Sequence, residues 1–217
     1  EIQYRLREKI VDTWDGRNVS LIAGADVAFP EKTTVLAAVV VLTFPDLRVV
    51  ETHIKSLPCR FPYVPGLLAF REAPALLACL DELRLEPDVL LCDAQGLAHP
   101  RKMGLATHVG ILLDHPVVGC AKSVLYGTFE PPGEDKGSFS YMYDDAGEVI
   151  GAAVRTRDHV EPVYVSIGNK IDLTTSIDLV LKCSPKYRIP EPLRLAHRLS
   201  VGEKVECDED SIEGQLF

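Results

Sequence analysis

The stretch Leu21-Ile22-Ala23-Gly24-Ala25-Asp26 is apolar for five residues and then reaches a carboxylate. Further along, Val89-Leu90-Leu91-Cys92-Asp93 repeats that plan. Short apolar runs of this kind read as buried strands. If the two strands are neighbours, their acids sit together at one edge of a sheet. Working outward, residues 19–25 form the first predicted strand, ending at Asp26. Two runs rich in Val, Leu and Thr follow at 34–44 and 47–56, separated by the turn signal Pro45-Asp46. Three strands so connected predict an antiparallel meander.

Around this nucleus the chain alternates. Residues 5–11 read as a short helix, and 58–65 as a proline-rich loop. A helix is predicted over 67–83, which Pro74 must kink or interrupt. After Asp93 a loop bearing Gly and His leads to a helix at 104–113 and a strand at 117–121. Further strands are predicted at 137–143, 149–155 and 163–166. Asp172 suits the N-cap of a helix through Leu181, and 190–200 reads as a last helix with Pro in its first turn. A meander followed by alternating helices and strands predicts an α/β domain, with a mixed central sheet and flanking helices. The order resembles the RNase H-like fold, which implies that the first strand lies beside the fourth.

Length and composition fit this. The 217 residues are 47% hydrophobic and 25% charged, which suits one domain over 1–202. No apolar run approaches the ~20 residues of a membrane helix, and Glu1–Lys9 lacks the core of a signal peptide. A cytoplasmic protein with no membrane partner is expected. The six cysteines form no CxxC pair and read as free thiols rather than zinc ligands. A net charge of −9 at first argues against a nucleic-acid partner. Its location softens that objection. Residues 203–217 carry six acids and one base, so five of the nine net charges belong to an acidic tail, which is expected to be mobile. Residues 182–198 are the reverse, with Lys182, Lys186, Arg188, Arg194 and Arg198 against Glu191. From composition alone, such charges read as a solvated face.

Asp26 and Asp93, if adjacent, repel each other unless a cation lies between them. Mg²⁺ takes oxygen ligands and retains waters, so it suits such a pair. Glu72, in Phe70-Arg71-Glu72 on the first long helix, is placed to reach the same point from above. Taken singly, an acid at a strand end is more often a cap or turn residue. Three acids converging carry a more specific signal. Phosphodiester hydrolysis needs a nucleophilic water and a stabilised leaving oxyanion, and two Mg²⁺ ions about 4 Å apart supply both. Bound metal also reverses the local charge, so an acid cluster is compatible with cutting an acidic polymer.

Longer motifs carry a resemblance. Gly24-Ala25-Asp26-Val27-Ala28-Phe29, then Pro62-Tyr63-Val64-Pro65-Gly66 with Phe70-Arg71-Glu72, resemble the endonuclease V family. Asp93-Ala94-Gln95-Gly96 with Ala98-His99-Pro100-Arg101, 104–110, Gly119-Cys120-Ala121-Lys122-Ser123 and 190–198 continue the likeness in order. The likeness covers nearly the whole chain, from Arg5 to about Ser200. It implies a Mg²⁺-dependent endodeoxyribonuclease, with Mn²⁺ as a substitute. Such an enzyme flips a deaminated adenine (inosine) out of DNA and cuts on its 3′ side, which initiates repair. Inosine-containing RNA is the alternative substrate, and a catalytically silent nucleic-acid-binding module the alternative class. A monomer is expected.

The resemblance implies Asp26, Glu72 and Asp93 as metal ligands, and His197 and Lys122 as catalytic. His197 would assist a metal-bound water or steady a second metal. Tyr63, in the rigid loop Pro62, Tyr63, Val64, Pro65, would be the wedge that parts the strands. His99 and Arg101 would contact phosphate or the active site, and Lys102 beside Arg101 is open to the same reading. Main-chain groups around Gly66, Leu68, Ala94 and Gly96 would read the flipped base. Two departures stand out. Ala94-Gln95 replaces a frequent Gly-His, which puts acid–base chemistry at position 95 in doubt and tightens the expected base pocket. Asn169 stands where a histidine is frequent.

Overall fold

The computed structural model describes residues 1–208. The chain opens with α1 (Ile2–Arg7), then the meander β1 (Leu21–Glu31), β2 (Thr34–Thr43) and β3 (Val49–Pro58). α2 (Leu68–Leu80), β4 (Val89–Cys92), α3 (Leu105–Leu113) and β5 (Val117–Ala121) follow. The antiparallel strands β6 (Phe139–Tyr143), β7 (Val149–Val154) and β8 (Val163–Asn169) precede α4 (Leu173–Lys182) and α5 (Glu191–Ser200). All the strands join one sheet in the order β3-β2-β1-β4-β5-β8-β7-β6. β4 runs parallel to both β1 and β5, and the other pairings are antiparallel. The expected neighbourhood of first and fourth strands is therefore present, as is the mixed sheet.

Period-two alternation divides the strand side chains between two layers. Ile22, Ala38, Val40, Leu42, Val89 and Leu91 pack with α4 and α5. Ala23, Ala25, Val39, Val41, Leu90 and Cys92 pack with α2 and α3 on the opposite face. β1 runs further than its apolar stretch predicts, because β2 continues beside it and Val27 and Ala28 pair with Ala37 and Leu36. Asp26 is thus a mid-strand residue opposite Ala38, not a terminal one. Its parallel neighbour does stop there, since the β1–β4 register ends at Ala25 and Cys92.

Pro74 lies within α2 without ending it. The Asp172 side chain accepts from the Thr175 N–H at 2.8 Å, as its N-cap position predicts. The acidic tail is described only as far as Asp208. Within that part, Val205 packs against the core and the Asp208 N–H donates to the Val49 carbonyl at 2.8 Å. The rest of the segment expected to be mobile lies outside the described residues.

Candidate active site

Gly24 explains how α5 reaches the acids. A Cβ at this position would lie 2.2 Å from the Pro192 backbone, so only glycine lets the helix sit this close to β1. Asp26 is two residues on, with its side chain on that same face. There His197 Nδ1 lies 3.0 Å from Asp26 Oδ2. The Ser200 hydroxyl, one helical turn further along α5, lies 2.6 Å from the same oxygen.

Asp93 follows β4 directly, and its backbone N–H donates to the Ala25 carbonyl at 3.0 Å. Asp26, Asp93 and His197 each offer an atom lying within 4.8 Å of the others. Lys122, at the end of β5, forms an ion pair with Asp93. Arg188 steadies that lysine by donating to its backbone carbonyl at 2.7 Å. Burial raises the Asp93 carboxyl, while Lys122 pulls the other way.

Glu72 is not part of the tight cluster. It projects from α2, which covers the opposite face of the sheet, and still feels the charges of Asp26 and Asp93. It is buried, and burial together with the Asp26 charge, and then that of Asp93, pushes its carboxyl up to about 8. Two carboxylates beside an imidazole are a donor set that a divalent cation can take. Asp26, Asp93 and His197 are the side chains that come close enough together to hold a cation among the described residues.

Beside the acids opens a cavity of about 480 Å³. Tyr63, Val64, Pro65, Gly66 and Leu68 line one side, and Asp93, Ala94, Gln95 and Lys122 another. Asp93 therefore belongs both to the acid cluster and to the cavity wall, and Glu72 lines the cavity beside it. A larger cavity of about 700 Å³, between the C-terminal ends of α2 and α3, shares no residue with the cluster.

The loop that carries Tyr63 leaves the ring 68% exposed. Its base is fixed. Phe61 stacks on Phe70, and the edge of His108 meets Phe70. Gly66, at φ +75°, ends the loop. Its carbonyl accepts from Gln3 Nε2 at 3.1 Å and from the Arg101 guanidinium.

Several expected DNA-binding residues have partners within the protein. Arg101 is committed to Gly66 and Gln3, and Lys102 to Asp144 and Glu148. Arg101 uses two of its five N–H donors in these bonds, so they leave the expected phosphate contact open. His99 is 4% exposed and accepts from the Arg101 N–H at 3.1 Å. Burial, then the Arg101 charge, pushes it down to about 4, so it is neutral and braces the loop. Gly96 does not line the cavity. A Cβ there would meet the Ile167 carbonyl at 2.1 Å, so its glycine serves close packing against β8. Asn169 is structural, bridging the Val11 N–H at 3.0 Å and the Gly110 carbonyl at 2.9 Å.

Sequence reasoning missed three features. Ser200 was readable as the i+3 neighbour of His197. Gln3 gave no signal, since a polar residue in a charged helix reads as exposed; it is buried. Lys32, Arg60 and Arg71 line a hollow with Tyr63, a basic group that chain separation hides. The basic stretch at 182–198 is largely spent internally, with Lys182 on Asp178, Arg194 on Glu191 and Arg198 on Glu203.

The endonuclease V family model matches residues 4–198. This chain belongs to the endonuclease V family. The endonuclease V of Trichormus variabilis is 50% identical over 202 residues, covering 92% of this chain and 90% of that protein. The crystal structure of endonuclease V from Streptomyces avermitilis superposes with a TM-score of 0.88 at 41% identity, covering 92% of this chain and 89% of that one. A Ciona intestinalis endonuclease V, solved with a 24mer DNA containing an inosine followed by a ribo-adenosine, gives 0.79 at 28% identity, covering 92% and 93%. The RNase H-like fold and a nuclease activity come with the family. The endonuclease V motifs quoted from the sequence fall on the cavity and the acid cluster. No described helix is long and apolar enough to cross a membrane.

Proposed function

We propose that this endonuclease V is a Mg²⁺-dependent enzyme that flips inosine out of DNA into the cavity and hydrolyses a phosphodiester on its 3′ side, initiating repair. One observation supports the reading: Asp93 belongs both to the acid cluster and to the cavity wall, so a base held in the cavity places its own backbone near the cluster. The cavity's 480 Å³ falls in the ~300–1,000 Å³ range of small-molecule sites. The bound DNA of the Ciona relative supports the choice of lesion.

Tyr63 acts as the wedge. Its loop is preorganised by prolines and by the Gly66 clamp, so little ordering is left to binding. Flipping costs a few kcal/mol, less at a weak pair, which favours a damaged base. Lys32 and Arg60 flank the wedge and suit phosphates of the parted strand. Asp26, Glu72 and Asp93 would hold Mg²⁺, which would supply Lewis acidity at the scissile phosphate. His197, with Nδ1 fixed on Asp26 and its ring half-exposed, takes or gives a proton at Nε2. Lys122 keeps Asp93 in place and offers its remaining donors to the scissile phosphate. Free, mostly buried cysteines suit the reducing cytoplasm.

A second reading, cleavage at inosine in RNA, is favoured by the ribo-adenosine after the inosine in the Ciona complex. Labelled DNA, RNA and mixed oligonucleotides bearing one inosine, incubated with Mg²⁺ and with EDTA, decide the matter. The expected result is a Mg²⁺-dependent nick 3′ of inosine in DNA. Cleavage confined to RNA moves the substrate, and cleavage of none overturns the reading.

A further inference from the structure

Gln95 sits in the cavity wall beside Asp93 and is only 8% exposed. Its Nε2 donates to the Ser123 carbonyl at 2.8 Å. A carbonyl only accepts, so this bond fixes which end of the amide is nitrogen. Oε1, at the other end, has no hydrogen-bond partner. Among the described residues, buried side-chain polar atoms without a partner occur on Arg71, Gln95, His108 and His115. Of these four, Gln95 alone borders this cavity. The residue is held at its backbone too, where its carbonyl accepts from the Ala106 N–H at 3.1 Å. A buried acceptor with no donor is unfavourable, and native proteins keep few of them without a use.

We propose that Gln95 determines base specificity, its Oε1 accepting a hydrogen bond from the ring N1–H of a 6-oxopurine in the cavity. The inference rests on the function proposed above and names the base edge that is read. Hypoxanthine carries a hydrogen on N1, whereas adenine presents a lone pair there. One fixed oxygen therefore attracts the deaminated base and repels its parent. A site built to hydrogen-bond a substrate group rejects the analogue lacking it more strongly than a packed apolar wall does. Guanine also has an N1–H, so Gln95 separates 6-oxopurines from adenine and does not separate hypoxanthine from guanine.

The test uses oligonucleotides carrying hypoxanthine, N1-methylhypoxanthine or unsubstituted purine at one position. Binding is read by fluorescence anisotropy with Ca²⁺, and cleavage with Mg²⁺, for the unaltered protein and Gln95→Met. The unaltered protein is expected to prefer hypoxanthine over purine by about tenfold or more, and to lose that preference on N1-methylation. Gln95→Met is expected to weaken hypoxanthine binding about tenfold and leave purine binding as it was. An equal loss on both bases, an unchanged preference, or indifference of the unaltered protein to N1-methylation overturns the proposal. The methylated base needs no variant, so a folding defect cannot hide the answer. If inosine is cut while Gln95→Met keeps the full preference, Gln95 fails and the proposed function stands. If the preference is present but no cleavage occurs, the reverse holds.

Discussion

Asp93 is tied down from two sides, by its N–H on Ala25 and by Lys122 on its carboxylate. Replacing it with Asn keeps shape and removes charge, so Asp93→Asn is expected to abolish cleavage while sparing most lesion binding; undiminished cleavage by this variant removes Asp93 from the metal site. Ser200 acts one step further out, through the Asp26 oxygen that it shares with His197. Ser200→Ala is expected to lower Mn²⁺ affinity or activity about 10–100-fold, with Ser200→Thr recovering part of it. An unchanged Mn²⁺ titration and rate in Ser200→Ala would leave that hydroxyl with a packing role only. His99 gives a pH signature. Its folded pKa lies near 4 against an ordinary 6.5, so the unfolded chain binds the proton more readily between those values. Its contribution is present above pH 6.5 and is lost as pH falls towards 4, an effect of up to roughly 3 kcal/mol. His99→Asn is expected to flatten that part of the acid limb in denaturant titrations, and an unaltered limb contradicts it.

Elements explain which parts were legible. Short continuous apolar runs located the central strands, because a strand buried on both faces of the sheet is apolar at successive positions. The end of β1 was misjudged because it is held by its neighbour β2 rather than by its own hydrophobicity, and β8 likewise runs past 166 along β5. The acids were legible as strand-linked carboxylates, and Tyr63 as an aromatic in a proline loop. The internal partners of Arg101 were not, since a basic residue beside an active-site loop looks the same in sequence whether or not it also holds a buried carbonyl. Two predictions belong to elements. Gly24→Ala drives a methyl against Pro192, so α5 must move and take His197 and Ser200 with it. A loss of about 1–3 kcal/mol is expected, with activity falling further than stability accounts for; normal melting and normal rates together contradict this packing argument. Tyr63→Ala removes an exposed ring, and is expected to shift stability by less than about 0.5 kcal/mol. Its cost should appear as weaker binding to inosine in duplex DNA and little change on single strands, where no pair needs parting.

For the molecule as a whole the puzzle is charge, since a chain at −9 must bind a polyanion. Five of the nine net charges belong to residues 203–217, while Lys32, Arg60 and Lys122 border the wedge and the cavity. Two truncations separate the structural part of this segment from its charge. Ending the chain at Gly202 removes Val205 from the core and the Asp208 bond to Val49. That is expected to lower stability by about 1 kcal/mol, most of it the apolar surface of one partly buried side chain. Ending it at Asp208 leaves both contacts and removes Glu209, Asp210 and Glu213. Stability should not change, while repulsion of DNA falls. Long-range repulsion is screened over ~8 Å at 0.15 M ionic strength and over ~30 Å at 0.01 M. The shorter truncation should therefore bind inosine DNA faster at low salt and at the parental rate near 0.15 M, as read by stopped-flow association. Slower association at low salt would make the segment a contributor to DNA binding rather than a source of repulsion.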